Sequence, residues 1–178
     1  NYDAVIGALD IINSKKGLNI GARKITLSTC GIIKGIQRFS QVKEQYTLAI
    51  SLHAARQEVR DRIMPHASSQ PLSQLKEALR DYLDETNRRI TFEYTLIKGI
   101  NDSEADLKAL LSFVSGLLCH INLIQLNSIP DFPFQPSSSE TVSIWKRTIE
   151  QNGIETTIRL SKGSDISGAC GQLKNSRK

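Results

Sequence analysis

Three cysteines, Cys30, Cys119 and Cys170, are the strongest nucleophiles in the sequence. No two of them have the Cys-x-x-Cys spacing of a local metal site, so this chain alone is not expected to hold a metal cluster. Two leucines precede Cys119 and a predicted strand follows it, which indicates a buried thiol. Cys30 follows the end of a predicted strand and precedes Gly31, which favours a structural role but also leaves the thiol able to line a pocket.

Cys170 lies in a different setting, because glycines and an alanine surround it in the segment 163–173. Small neighbours allow a large ligand to approach the sulfur, and a segment too flexible for a core strand would allow that sulfur to move between two reaction partners. From the residues alone, a reactive thiol and an incidental surface thiol are equally compatible with this pattern.

Two other polar side chains lie in or beside predicted strands. His53 is able to act as a base or a ligand, but a histidine whose hydrogen bonds are satisfied at a strand end is the commoner case. Glu93 stands between Phe92 and Tyr94, and only a polar interior would make its carboxylate tolerable there, in a functional or a paired structural role. The arginine-rich stretch 56–62 favours a solvated helix face with internal Arg-Glu pairs over an RNA contact.

The elements that position these residues alternate along the chain. Apolar runs and alternations predict strands over residues 23–29, 46–53, 89–97, 120–126 and 156–160. Helical spacing of apolar residues predicts helices over residues 3–13, 32–44, 58–64, 72–85, 103–117 and 140–152. Strands that alternate with helices indicate right-handed parallel crossovers, hence an α/β fold that is either a barrel or a doubly wound sheet.

The polar residues favour a barrel, because Ser28, Ser51, His53 and Asn127 all lie at predicted strand ends, where barrels gather their chemistry. A complete barrel has eight strands in about 250 residues. This chain has four good crossover strands and a shorter fifth, and it opens inside a helix. We therefore expect a partial (β/α) TIM-like barrel that is truncated on its N-terminal side.

The composition limits the classes of protein to which this chain can belong. The sequence has no apolar run of the roughly 18 residues that span a bilayer, and its three widely spaced cysteines do not resemble a disulfide framework. We expect a cytoplasmic protein that is neither secreted nor bound to a membrane. The net charge of +5, with basic residues at the end of the chain, makes RNA a plausible partner, although many basic proteins bind no nucleic acid.

Six motifs in one order resemble the RlmN/Cfr family of radical S-adenosylmethionine RNA methyltransferases, and the RlmN branch is the closer match. The resemblance extends over essentially the whole chain. The motifs cover residues 21–31 (GARKITLSTCG), 49–54 (AISLHA), 89–94 (RITFEY), 99–102 (GIND), 120–124 (HINLI), and 163–166 (GSDI) with 169–173 (ACGQL).

The resemblance implies a radical S-adenosylmethionine barrel over residues 1–178, in which residues 161–178 carry the methyl-carrier cysteine. It implies a [4Fe-4S] cluster and S-adenosylmethionine as cofactors, an electron donor as partner and a monomeric enzyme. Its reaction would take a methyl-derived carbon through Cys170 to C2 of an adenine in 23S rRNA, and in some tRNAs, by radical chemistry. The positions that match S-adenosylmethionine contacts are Ser28, Ser51, Leu52, His53 and Asn127.

The sequence also departs from the family pattern. The three cluster cysteines, a Gly-Glu-Pro segment and the resolving cysteine are expected before Asn1, so we expect the chain alone to be inactive. Ser167-Gly168 replaces the usual Asp-Ala beside the carrier, and Ala55 replaces a proline. A non-catalytic module that binds RNA or S-adenosylmethionine is the alternative hypothesis.

Overall fold

The computed structural model of the protein describes residues 1–127 and 133–159. Its helices are Tyr2–Asn13 (α1), Ile33–Phe39 (α2), Gln57–Ile63 (α3), Leu72–Thr86 (α4), Glu104–Val114 (α5) and Ser139–Gln151 (α6). Its strands are Thr26–Thr29 (β1), Thr47–Ser51 (β2), Ile90–Leu96 (β3), Cys119–Gln125 (β4) and Thr156–Arg159 (β5). Short 3-10 turns cover Ala22–Lys24 and Pro65–Ala67.

The five strands form one parallel sheet in the order β1-β2-β3-β4-β5. Every strand pairs in parallel with its neighbour in the sequence, and a helix lies in each connection. A doubly wound sheet would reverse its strand order at a switch point, and this sheet does not. The sequential order is that of a (β/α) barrel with fewer than eight strands, which confirms the predicted α/β class and the partial barrel.

One face of the sheet is apolar and packs against the helices. Alternate residues of β3 are buried, and the same alternation continues through most of β4. Ring contacts join this face to the helix layer, since Phe92 packs edge-on against Phe113 at 5.8 Å and Tyr94 packs against Trp145 at 5.1 Å between ring centroids. Because strand side chains alternate, the polar residues between these anchors must point to the opposite face.

The start of α5 and the end of α4 carry residues that suit a helix terminus. Ser103 and Asp106 form a reciprocal capping box at the start of α5, which satisfies two amide groups that a helix start leaves without partners. Helix α4 ends where Asn87 adopts a left-handed conformation with φ of 50°, a conformation that asparagine tolerates better than most residues.

All six predicted helices and five predicted strands are present in the described part of the chain, and several differ in their bounds. The strand predicted from residue 23 begins at Thr26, because the preceding residues form a 3-10 turn. The helix predicted over 32–44 ends at Phe39. Strand β2 ends at Ser51 because His53 has a left-handed φ of 55°, which turns the chain out of the sheet. Within the described ranges, no helix has the length and apolar character needed to cross a membrane.

Candidate functional site

A row of polar side chains crosses the face of the sheet that lies away from the core helices. The register pairs Ser51 of β2 with Glu93 of β3, Glu93 with Asn122 of β4, and Asn122 with Thr157 of β5. Paired residues in neighbouring strands point to the same face and lie about 5 Å apart. The row therefore gives this face a line of hydrogen-bonding groups that runs from the carboxyl end of β2 across the middle of β3 and β4 to β5.

Glu93 is the charged member of that row on β3. Its Oε1 accepts a hydrogen bond from Nδ2 of Asn122 at 2.9 Å and lies 3.6 Å from a guanidinium nitrogen of Arg159. Its Oε2 is buried and has no hydrogen-bond partner among the described residues. The carboxylate thus points to the polar face, as the sequence predicted, and only one of its oxygens is satisfied there.

The backbone of Glu93 also shapes the turn that follows β2. Its carbonyl oxygen accepts from the amide of Leu52 at 3.0 Å and from the amide of His53 at 3.2 Å. The side chain of Leu52 is completely buried in the core. Any contact of Leu52 with a ligand on the polar face therefore has to be made by its main chain.

His53 is held in one defined state in this turn. Its Nδ1 accepts a hydrogen bond from the amide of Thr95 at 3.1 Å, so the ring proton resides on Nε2. Burial, reinforced by the charge of Arg60, lowers the pKa of His53 to about 4. At neutral pH the imidazole is uncharged, and its Nε2–H has no hydrogen-bond acceptor among the residues that the structure describes. His53 is therefore a neutral donor at the carboxyl end of β2.

Asn101 locks this arrangement from the loop between β3 and α5. It is completely buried, its Oδ1 accepts from the amide of Ile97 at 2.7 Å, and its Nδ2 donates to the carbonyls of His53 at 2.6 Å and Thr95 at 2.7 Å. In the sequence, Asn101 stood out only as part of the motif 99–102, and no role was predicted for it. The signal that was available is the polar Asn101-Asp102 pair directly after an apolar strand and Gly99.

Ser28 and Asn127 extend the candidate site to either side. Ser28 is the third residue of β1 and is exposed, and Asn127 lies two residues beyond the end of β4. Ser51 ends β2 and His53 follows it, so the predicted residues belong to three of four adjacent strands. They lie at different levels along the strands, since Ser28 pairs in register with Ala49, two residues before Ser51. The cavity beside Ser28 is lined by residues of α1, β1 and α2 and includes neither Ser51 nor His53.

Arg60 holds the chain that follows β1 in place. Its guanidinium is completely buried and donates to the carbonyls of Cys30 at 2.6 Å and of Ala67 at 3.2 Å. The pattern of the 56–62 stretch did not reveal this role. The prediction of internal pairs holds for Arg56, which forms an ion pair with Glu58 at 2.7 Å.

The two described cysteines are free thiols. Cys119 is buried as predicted, and burial raises its pKa to about 11, so it is not a nucleophile at neutral pH. Cys30 is partly exposed at the end of β1. Cys170 and the segment 161–178 lie outside the described residues. Within 1–127 and 133–159 no group of three His, Cys, Asp or Glu residues is arranged to hold a metal ion.

No protein-family model matches the chain, but individual known proteins are similar to it over nearly its whole length. A probable dual-specificity RNA methyltransferase RlmN from Clostridium novyi is 51% identical over 98% of this chain. Proteins with the same description from Thermoanaerobacter sp. and Clostridioides difficile are 47% and 44% identical over 98% and 100% of it. The chain spans about half the length of these curated relatives, 51 to 52%.

Solved structures agree with the sequence comparison. A radical SAM methyltransferase from Sphaerobacter thermophilus superimposes with a TM-score of 0.92 at 43% identity, covering 97% of this chain and 50% of that one. A domain of pyruvate-formate lyase-activating enzyme from Bacteroides vulgatus gives a TM-score of 0.64 at 17% identity, covering 89% of this chain and 93% of that one. At that identity the second match supports the fold alone.

Proposed function

We propose that this chain, which belongs to the RlmN family of RNA methyltransferases, is the C-terminal part of a radical S-adenosylmethionine enzyme that methylates C2 of adenine in 23S rRNA and in tRNA. The observation that carries the proposal is the identity of 44 to 51% to RlmN relatives across nearly the whole chain. The polar groups at the carboxyl edge of the sheet support it, because they offer a site for an elongated cofactor.

S-adenosylmethionine fits the donor and acceptor set of this edge. Ser28, Ser51 and Asn127 have no side-chain hydrogen bonds within the described part of the chain, and His53 offers a neutral Nε2–H. A nucleoside joined to an amino acid carries hydroxyl, amine, ring-nitrogen and carboxylate groups that match such a set. In our proposal these side chains, with the main chain of Leu52, bind and orient the cofactor, which supplies the methyl group and the radical when bound.

We assign the methyl-carrier role to Cys170 on the segment 161–178. Its thiolate would attack the methyl carbon of bound S-adenosylmethionine, so that a new carbon–sulfur bond forms on the protein while the bond from the methyl group to the sulfonium breaks and S-adenosylhomocysteine leaves. Direct transfer to C2 of adenine is unfavourable because that carbon is electrophilic and has no lone pair. Carbon held on the sulfur of Cys170 can instead react as a radical, which adds to an electrophilic carbon where an electrophilic methyl group does not.

The [4Fe-4S] cluster does not fit the described residues, since no ligand set is present among them. We therefore assign the cluster, with its electron donor, to the part of the enzyme that lies before this chain. Basic residues give the chain its net charge of +5, which favours a polyanionic RNA substrate. We propose that the enzyme acts as a monomer in the cytoplasm.

The proposal is tested with the protein that includes the segment before Asn1, reconstituted with iron and sulfide under reducing conditions. We expect 2-methyladenosine in an rRNA fragment, measured by mass spectrometry of the digested RNA. Cys170→Ala should abolish the product, and the matched control Cys30→Ala should retain it. Product formation by Cys170→Ala would refute the carrier role.

The alternative, a non-catalytic binding module, predicts a different outcome. If the reading frame before Asn1 lacks the three cluster cysteines, and the chain binds RNA or S-adenosylmethionine without forming a methylated product, the enzymatic proposal is wrong and the binding module is favoured. We expect the isolated 178-residue chain to form no product in the same assay.

A further inference from the structure

Three arginines surround a cavity at the amino-terminal edge of the sheet, away from the carboxyl ends of the strands. The cavity has a volume of about 300 Å³, and its wall includes Arg23, Arg88 and Arg89. Arg23 lies in the 3-10 turn before β1, and Arg88 and Arg89 directly precede β3. None of the described residues that line the cavity is Asp or Glu. The wall is therefore cationic.

Two of these arginines have donors that the described chain does not use. Nε of Arg23 donates to Oε1 of Gln45 at 2.6 Å, and both terminal nitrogens of Arg23 have no partner among the described residues. Arg89 forms an ion pair with Glu155 through Nη1, and its Nε and Nη2 have no partner in the same part of the chain. A guanidinium with free nitrogens can bind a phosphate group through two parallel hydrogen bonds.

The third arginine and two hydroxyl groups complete the wall. Nη2 of Arg88 donates to the carbonyls of Val42 at 3.0 Å and Lys43 at 3.1 Å, so this guanidinium is held in place by the main chain. The hydroxyls of Thr47 and Thr91 form no hydrogen bond within the described ranges. Side-chain hydroxyls, like arginines, are common donors to phosphate oxygens. The cavity thus combines positive charge with neutral donors.

The charge around the cavity has one sign. The segments 21–26, 42–47 and 88–91 carry five basic residues and one acidic residue, Glu44. Glu155 offsets the charge of Arg89 only in part, because its side chain is 65% exposed and water screens the pair. A concave site with charge of one sign raises the local concentration of ions of the opposite sign. We therefore expect an anionic ligand, and a phosphate group matches both the arginines and the hydroxyls.

The source of this phosphate follows from the proposed function, on which this step rests. Thr47 lies four residues before Ser51 on β2, a distance of about 13 Å along the strand. An RNA whose target base lies at the carboxyl ends of the strands continues for several nucleotides on either side of that base. Because every nucleotide carries a phosphate, the backbone can reach the cavity while the base lies at the reaction site. Free inorganic phosphate is the competing source of the same chemistry.

We propose that the cavity at Arg23, Arg89 and Thr91 binds a backbone phosphate of the RNA substrate, remote from the reacting base. Such a contact positions the RNA and does not read its sequence. It strengthens binding equally before and during the reaction, so its loss should raise KM for the RNA and leave kcat unchanged.

The test measures binding of a fluorescently labelled RNA stem-loop to the 178-residue chain by anisotropy at several salt concentrations. The double variant Arg23→Gln/Arg89→Gln removes both guanidinium groups with free donors and keeps Arg88, which holds main-chain carbonyls. We expect it to bind the RNA about tenfold more weakly. The slope of log affinity against log salt should become shallower by about one to two.

An NMR titration locates the phosphate site directly. Inorganic phosphate, added to the ¹⁵N-labelled chain, should shift the amide signals of Thr47 and Thr91 in the wild type and leave them in place in the double variant. The matched control, Arg80→Gln/Arg147→Gln, removes two exposed arginines from α4 and α6 and should bind RNA and phosphate as the wild type does. Thermal melts followed by circular dichroism report the folding of each variant.

Kinetics of the longer, reconstituted protein provide a second measurement. There the double variant should raise KM for the RNA about tenfold at unchanged kcat. A fall in kcat at unchanged KM would contradict the proposal, because a remote contact does not act on the chemical step.

Several binding results would overturn the assignment. Unchanged RNA affinity and salt slope in the double variant would remove the cavity from the RNA interface. Phosphate binding at the two threonines without an effect on RNA would make free phosphate the ligand. An equal loss in the control would reduce the effect to net charge, and absence of wild-type RNA binding would refute it as well. The proposed function fails separately, if the longer protein forms no 2-methyladenosine, because the binding measurements need no chemistry.

Discussion

Replacement of Asn101 by alanine should destabilise the protein more than the loss of a few side-chain atoms suggests. The asparagine side chain makes three hydrogen bonds, a buried one from the amide of Ile97 and two half-buried ones to the carbonyls of His53 and Thr95. The hydroxyl of Tyr94 also donates to the Asn101 carbonyl at 2.9 Å, which fixes the loop in place. Alanine removes the three side-chain bonds and leaves their partners buried.

The magnitude follows from the groups that lose their partners. A buried polar group left without a hydrogen bond costs about 1 to 3 kcal/mol. The amide of Ile97 loses its acceptor in a short, buried bond, and each of the two carbonyls loses one donor. Counting the amide in full and the carbonyls in part, we expect Asn101→Ala to lower the free energy of unfolding by about 3 to 5 kcal/mol. That is a large share of the roughly 5 to 15 kcal/mol that stabilises a typical domain.

Urea denaturation of the 178-residue chain at neutral pH, followed by circular dichroism, measures this loss. Asn152→Ala is the matched control, because its side chain donates to the carbonyl of Thr148 at an exposed helix end. We expect the control to change the free energy of unfolding by less than about 1 kcal/mol. Asn101→Asp should be at least as harmful as the alanine variant, because a carboxylate would face two carbonyl oxygens.

A small effect would refute this reasoning. If Asn101→Ala lowers the free energy of unfolding by less than about 1 kcal/mol with an unchanged denaturant slope, the amide does not lock the two strand ends as described. An effect equal to that of Asn152→Ala would have the same meaning.

Three further predictions concern buried groups beside the site. Because the pKa of His53 is about 4 when folded and about 6.5 when unfolded, stability should fall as pH drops through this interval, by up to roughly 3 kcal/mol. His53→Asn, which does not titrate there and tolerates the positive φ, should reduce that slope in urea melts between pH 4 and 7. Arg60→Ala should cost about 3 kcal/mol or more by removing a buried guanidinium from its carbonyl partners, while exposed Arg62→Ala should cost less than about 0.5 kcal/mol in the same assay. Iodoacetamide at pH 8 should label Cys30 in the folded protein and Cys119 only after unfolding, as mass spectrometry of the digest would show; rapid labelling of Cys119 would contradict its burial.

Sequence patterns were sufficient to predict the framework of the fold. Burial of one face of a strand places apolar residues at every second position, and this alternation identified β3. The helical spacing of apolar residues identified α4. Both patterns are local, so they can be recognised without knowledge of tertiary contacts. The end of β2 was misjudged by two residues because the turn at His53 depends on a carbonyl 40 residues away, that of Glu93.

The candidate site was less accessible to prediction. The polar residues at strand ends were recognisable because barrels gather chemistry there. The roles of Asn101 and Arg60 were not, since each bonds to main-chain groups that come close only in the folded chain. The hydropathy pattern does not show whether a charged or amide side chain is buried against carbonyl groups.

The sequential strand order has a consequence for how the chain is built during synthesis. Register partners are separated by 21 residues between β1 and β2, by 42 between β2 and β3, and by 29 and 35 at the next two pairs. Each new strand therefore finds its docking edge already completed by the strand that left the ribosome before it. Assembly can advance vectorially, and no strand has to wait for a distant one that has yet to be translated.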